Sequence, residues 1–347
     1  MTSQTELWND PQKPSQVVAL SELDEGQEAD FFALLAEKQQ LTTRDGKPYH
    51  RVAFRDAQRE VSFPIWADSP LAGACRDQWT PGEFYKLRAV LRQSNFGPQL
   101  EIHKIRPVEE GDRDEGFDPL MCQPASRFDP EQMFAELSGI AKEQIDDEAL
   151  RQLVVDILEE HRTELLMLPA AKRNHHAFVG GYLEHVLNVT RSCCHLADKY
   201  RELYVELDPP LDKDLVVAGA ILHDIGKLRE LAAGTAGAEY TAAGSLIGHV
   251  LQGRDIVREA AAARSIDAEK LLRLEHVIIS HQRLPEWGAP KPPMTPEALI
   301  VHYADDLDAK LHMMVAVLID DTTPGPTTSR RNALGQQVYR GGPGGTP

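Results

Sequence analysis

The sequence predicts a multidomain β + α protein, in which a small five-stranded β-barrel is followed by an all-α domain. Three observations carry that expectation. Apolar residues recur with period two from residue 28 to about 108 and with a helical period after Pro130. Charge divides at the same place: residues 28–107 hold 12 basic and 10 acidic side chains, and the rest of the chain holds 25 against 44. Histidine is skewed too, with 11 of 13 lying between His161 and His312. A length of 347 residues suits two or three domains.

Composition removes several classes. At 42% hydrophobic and 26% charged residues the chain is neither collagen-like nor wholly disordered. No apolar run approaches the roughly 18–20 residues that span a bilayer, so no membrane partner is expected. The opening MTSQTELWNDPQKP lacks the basic and apolar regions of a signal peptide, and the expected compartment is the cytoplasm. Cys75, Cys122, Cys193 and Cys194 form no CxxC pair, which argues against a zinc ribbon or a disulfide scaffold. A net charge of −17 repels nucleic acid in the mean field, so any such partner must be met locally.

The elements follow in order. Residues 1–27 are polar and read as a loose lead-in. A first strand runs from Phe31 to Leu41 and ends at the turn Arg44-Asp45-Gly46-Lys47. Tyr49–Arg55 and Glu60–Trp66 alternate, with Val52, Phe54, Val61, Phe63 and Ile65 on the inner face. Ser69-Pro70 reads as the start of a short helix toward Trp79. Strands over 83–93 and 99–108 flank the turn Asn95-Phe96-Gly97. Three strands, a helix and two strands is the order of an OB-fold, placed at 28–108. Residues 109–128 read as a linker. Helices are predicted over 130–144, 147–167, 178–200, 211–225, 245–263, 267–282 and 295–320, an all-α domain at 129–321. The Gly- and Pro-rich tail, 322–347, reads as flexible.

The chemistry concentrates in the helical part. His223-Asp224 follows an apolar run and precedes Gly226, which reads as the residue just past a helix end. Neighbours inside a helix point about 100° apart, so a His-Asp pair converges most easily where the helix stops. His185 lies upstream beside Tyr182, Val186 and Val189; His249, His281 and Asp305 lie downstream. Imidazole mixed with carboxylate suits transition ions such as Mn, Fe, Ni or Zn, and one Asp among several His suggests a pair of ions. Any one of these histidines by itself is more often a satisfied core or surface residue.

The ordered series H…HD…H…H…D resembles the HD-domain phosphohydrolases. The segments NHHAFVGGYLEH, AGAILHDIGKLRE, GHV, LEHVIISHQ and PEALIVHYADDLDAK, beside a barrel carrying GKPYHRVAFRD and FPIW, resemble the YhaM-type 3′→5′ exoribonuclease family. That family joins an OB module to an HD domain. The resemblance implies two divalent ions, Mn²⁺ foremost with Fe, Ni or Zn as alternatives. His185, His223, Asp224 and Asp305 would hold one; Asp224, His249 and His281 would hold the other, with Asp224 bridging. His276 is the weaker choice beside His281; Asp306 and Asp308 rival Asp305, Asp308 reading rather as a partner of Lys310. Lys227 is expected to contact phosphate, or else to complement a helix end. His176 is expected in a substrate or proton-transfer role, or else at a helix surface. Gly180 and Gly181 suggest close approach of a neighbour.

On the barrel, Tyr49, Arg51, Arg55 and Trp66, with Lys86 and Arg88 on the fourth strand, are the expected nucleic-acid contacts, combining stacking with cations. The implied activity is metal-dependent 3′→5′ hydrolysis of single-stranded RNA, with single-stranded DNA also admitted, by attack of metal-activated hydroxide on the terminal phosphodiester. Two alternatives stand: an HD phosphohydrolase of a small cyclic or free nucleotide, and a non-catalytic RNA-binding protein. Homo-oligomerisation is left open.

Overall fold

The computed structural model describes residues 17–43, 45–94, 97–172, 174–234, 237–321 and 323–341. Residues 1–16 of the lead-in, Arg44 and Asn95-Phe96 of the two turns, and Thr322 and 342–347 of the tail lie outside the described residues. The chain divides between Ala125 and Ser126 into two compact units.

The first unit is built on β1 (Glu28–Thr42), β2 (Pro48–Arg55), β3 (Glu60–Trp66), α1 (Ala72–Gln78), β4 (Phe84–Ser94) and β5 (Gly97–Pro107). The strands are antiparallel in the order β3-β2-β1-β4-β5, and β3 also approaches β5, so the sheet curls on itself. This is an OB-fold. β1 serves two neighbours: its first half pairs with β4 and its second with β2, and the register shifts between Leu35 and Glu37, where the strand must bend. Val52, Phe54, Val61 and Phe63 fill the interior as their alternation predicts, and Cys75 of α1 and Trp79 just past its end join that core. The helix starts two residues later than Ser69-Pro70 suggests; Ser69 Oγ instead accepts from the Leu71 amide at 3.2 Å.

Two expectations need correction. The described part of the lead-in is not loose, since Leu20 and Leu23 are fully buried in the barrel core. The segment after β5 is not a free linker either. Phe117 packs on Phe32 and Phe84, Cys122 is buried beside Leu34, and Asp112 takes two 2.6 Å hydrogen bonds from Arg106. Residues 109–122 therefore cover the outer faces of β1 and β4. That explains why Phe31–Leu35 is an unbroken apolar run rather than an alternation: both of its faces are buried.

The second unit holds α2 (Pro130–Gln144), α3 (Glu148–Glu160), α4 (Arg162–Met167), α5 (Gly181–Leu203), α6 (Lys213–Leu222), α7 (Lys227–Glu230), α8 (Ala242–Leu246), α9 (His249–Ala261), α10 (Ala268–Ser280) and α11 (Pro296–Asp320). Asp129, Asp147, Asp212, Asp267 and Thr295 cap their helices by accepting first-turn amide hydrogen bonds. The helix expected over 147–167 is interrupted at His161. A hairpin of β6 (Leu231–Gly234) and β7 (Gly237–Tyr240), not foreseen, follows α7. Helix α6 is the axis of the unit, with every residue from Leu215 to Leu222 buried among α5, α10 and α11. The tail's described residues are not loose: Thr328 is buried, its amide donates to Val338 O at 2.9 Å, and Arg340 reaches Asp321 O at 3.0 Å. No helix among the described residues is long and apolar enough to cross a membrane.

Candidate metal centre

Helix α6 stops at Leu222, and His223 and Asp224 fall in the turn that leads to α7. Gly226 is not the left-handed residue expected there; its φ is −64°. Its role is steric. A Cβ at Gly226 would lie 1.9 Å from His249 O and 2.5 Å from Gly253 N, so only glycine lets the start of α9 rest on the His-Asp turn. Gly181 works alike at the head of α5, where a Cβ would meet His176 O at 2.0 Å.

Asp224 lies at the centre of the cluster, and its two oxygens face different groups. Oδ2 is 3.7 Å from His185 Nε2 and 3.6 Å from His223 Nε2, and Asp305 Oδ1 lies 3.2 Å from the same His185 nitrogen. Oδ1 is 3.3 Å from His249 Nε2 and 3.5 Å from His281 Nε2. The six side chains expected as ligands are thus brought together, in two sets able to hold an ion: His185, His223 and Asp305, and Asp224, His249 and His281.

The outward nitrogen of each ring is fixed. His185 Nδ1 donates to Asp308 Oδ2 at 2.7 Å, His249 Nδ1 to Glu230 Oε1 at 3.0 Å, His223 Nδ1 to Ala220 O at 2.7 Å and His281 Nδ1 to Ile278 O at 2.6 Å. The Nε2 atoms therefore face inward as acceptors. All four, with Asp224 Oδ1, are buried without a hydrogen-bond partner in the protein. A buried unsatisfied polar group costs about 1–3 kcal/mol, and five converging on one centre fit divalent cations. Burial pushes His223 down to about 4, keeping that ring neutral and able to ligate. Burial would lower His185 too, but the neighbouring Asp305 and Asp308 carboxylates outweigh it and raise the ring to about 10. Burial pushes Asp224 up, yet Lys227 and His223 hold it well below the ordinary carboxylate range.

Two orienting carboxylates were not expected from sequence. Asp308 does not pair with Lys310; Asp306 does, at 2.7 Å. Asp308 sits one turn beyond Asp305 on the same face of α11, an i, i+3 relation that the sequence does display. Glu230 reaches His249 from the end of α7, and no regular spacing announces it. His276 lies off the site, its Nε2 accepting from the Met294 amide at 2.9 Å.

Lys227 is buried, with Nζ 3.6 Å from Asp224 Oδ2; burial disfavours its charge, but Asp224 and Glu230 outweigh it and raise its pKa. It lines a cavity of about 860 Å³ together with His175, Glu230, His249, Tyr240 and Trp287. His176 departs from expectation: it is 2% exposed and holds Asp308 Oδ2 at 3.1 Å, behind the His/Asp cluster. Its neighbour His175 is the one that lines the cavity, and burial, with His185 and Lys227 nearby, lowers it to about 4.

The expected barrel contacts divide. Tyr49 and Trp66 are register partners on β2 and β3, their rings 5.0 Å apart, and Trp66 is 49% exposed. Arg51 is exposed and donates to Ser62 Oγ at 2.9 Å, and Arg55 is half-buried, desolvation lowering its pKa despite nearby Glu60. Lys86 and Arg88 do not present themselves to a ligand. Lys86 is 3% exposed and paired with Glu115, with Asp112 at 3.7 Å; Arg88 pairs with Asp30 at 2.6 Å. Their strand parity is outward as expected, but the 109–122 segment and β1 carboxylates cover that face.

Residues 182–310 match the family described as HD domain, within which all six clustered side chains fall. HD domains are metal-dependent phosphohydrolases, and the second unit carries the His/Asp clusters that could hold such metals. Solved structures similar to part of the chain include a replication protein A domain from Methanococcus maripaludis, at 11% identity over 27% of this chain and 96% of that one, TM-score 0.22. The second OB-fold domain of replication protein A from the same organism gives 16%, 27%, 96% and 0.21. An OB domain from Methanosarcina mazei gives 19%, 28%, 88% and 0.23. The barrel's own strand order identifies it as an OB-fold.

Proposed function

We propose that the protein is a metal-dependent phosphodiesterase that removes nucleotides from the 3′ end of single-stranded RNA. The observation that carries the phosphodiesterase reading is Asp224, which turns one oxygen to each of two histidine sets whose free nitrogens are all buried and unpartnered. His185, His223 and Asp305 would hold one ion, His249 and His281 the other, with Asp224 shared; Mn²⁺ is the ion proposed. Two such cations supply Lewis-acid activation of water and neutralise charge on a phosphodiester.

The chain's own residues do the rest. Lys227 places an ammonium beside Asp224 at the cavity wall, where it would meet a phosphate oxygen and stabilise the charge that builds on it. Asp308, Glu230 and two backbone carbonyls fix the ligand rings, so the site is organised before substrate arrives. Water attacks the terminal phosphorus, the bond to the preceding 3′ oxygen breaks, that oxygen takes a proton, and a nucleoside 5′-monophosphate leaves. The direction of degradation rests on the motif resemblance to YhaM-type enzymes. The paired Tyr49 and Trp66 rings, with Arg51 and Arg55 on the same strands, would hold the strand by stacking and charge.

A 5′-labelled oligoribonucleotide incubated with and without Mn²⁺ tests this. The expected result is a shortening ladder that needs metal and vanishes in Asp224→Ala. A small-nucleotide hydrolase would instead leave the oligonucleotide intact while cleaving a cyclic or free nucleotide.

A further inference from the structure

We propose that Trp287 and Tyr240 form a nucleobase-stacking subsite beside the metal centre, which takes the base of the nucleotide whose phosphate lies at Lys227. The proposal rests on the phosphodiesterase reading for its phosphate, and adds what recognises the rest of the nucleotide. Both rings line the cavity that Lys227 and His249 also line. Each is about half exposed, 48% for Trp287 and 53% for Tyr240, so each has a face open to a ligand. Each ring also carries a lysine: Lys310 Nζ is 5.7 Å from the Trp287 centroid, and Lys172 Nζ is 5.5 Å from that of Tyr240. An aromatic face with an adjacent cation, at the mouth of a cavity that ends in a phosphate-binding lysine, is the chemistry that holds a base and its backbone without regard to sequence.

The chain places these rings with two short local structures that each follow a residue of the cluster. Tyr240 ends the β6–β7 hairpin, which begins directly after α7 and so within seven residues of Asp224. Trp287 ends a single 3₁₀ turn, Pro285–Trp287, six residues after His281, and Gly288 (φ +97°) turns the chain away behind it. Each insertion thus leaves a metal-ligand motif and returns an aromatic ring to the same cavity. The volume of about 860 Å³ lies within the range of sites that enclose a small organic ligand, large enough for a nucleotide as well as its phosphate.

The test compares adenosine 5′-monophosphate, the product that 3′-end hydrolysis would release, with ribose 5-phosphate, which has the same phosphate and no base. Each is titrated calorimetrically into the Mn²⁺-loaded full chain. The wild type should bind the nucleotide more tightly. Trp287→Ala and Tyr240→Ala should each weaken it by about fivefold to a hundredfold, the span of base–aromatic stacking, and leave ribose 5-phosphate unchanged. Trp287→Phe, which keeps a ring, should restore most of the loss. Equal weakening of both ligands, no weakening of either, or a wild type indifferent to the base would overturn the subsite. The outcome is separate from the nuclease reading: a wild type that shortens RNA but ignores the base in this titration loses only the subsite. One that shows the stacking pattern yet leaves RNA intact loses only the exonuclease.

Discussion

Asp308 Oδ2 lies 2.7 Å from His185 Nδ1, and this one hydrogen bond decides which nitrogen of His185 faces the metal centre. His176 holds the same oxygen at 3.1 Å from the other side, so the carboxylate is itself fixed. Removing such an outer partner typically costs about 10–100-fold in metal affinity. Asp308→Ala should therefore weaken Mn²⁺ binding by about that factor while the far-UV spectrum of the helical unit is unchanged. Calorimetric titration of Mn²⁺ into apo protein measures it, and unaltered affinity would show that the helix alone orients His185.

Metal removal should destabilise the second unit. A ligand that binds only the native state stabilises it by about 2.7 kcal/mol at a hundred times its dissociation constant. Chelation should lower the melting temperature of the wild type and not that of Asp224→Ala, in which the shared ligand is gone. Differential scanning calorimetry with and without chelator reads this out; an equal shift in both proteins would count against the cluster as the binding site.

Gly226→Ala should disable the site without altering any of its six side chains. The new methyl group would collide with His249 O and force α9 away from the His-Asp turn. Overpacking of this kind costs about 1–3 kcal/mol, and displacement of His249 should reduce bound metal. Urea unfolding with metal analysis of the folded protein tests both halves of the claim.

The barrel's outward-facing residues should separate by function. Tyr49→Ala and Trp66→Ala should weaken single-stranded RNA binding by about 1–3 kcal/mol per lost stack with little loss of stability. Arg88→Ala should do the reverse, because it strands the buried Asp30 carboxylate, a loss of about 1–3 kcal/mol. Filter binding and urea unfolding on the same variants would distinguish them.

Acid should loosen the barrel through Asp112. Burial pushes that carboxyl up, but the hydrogen bonds from Arg106 and the Glu109 amide outweigh it and set its pKa below the ordinary value. A depressed carboxyl lends stability above its unfolded pKa, about 4, and this stability is lost as pH falls through the folded value. Asp112→Asn should therefore lower stability at pH 7 and flatten its decline below pH 4, as followed by urea unfolding across that range.

What sequence reveals here depends on whether a residue's role leaves a periodic mark. His223-Asp224 is legible because a buried helix must end before two neighbours can face one centre, and α6 does end there. Tyr49 and Trp66 follow from strand parity. Parity also turns Lys86 and Arg88 outward correctly, yet they are covered, because the 109–122 segment that covers them has no repeat to read. Glu230 is hidden for a similar reason, reaching His249 through the path of a short turn rather than along one helix face. Asp308 was readable, since i, i+3 from Asp305 and i, i+4 between Asp306 and Lys310 assign both pairs.

The proposed site sets Asp224 between two cations. Anomalous diffraction at the manganese edge, from crystals grown with Mn²⁺, measures this directly. Two peaks about 3.5–4 Å apart are expected, one against His185, His223 and Asp305 and the other against His249 and His281, with Asp224 touching both. Manganese peaks lying away from these side chains, or none in this unit, would contradict it.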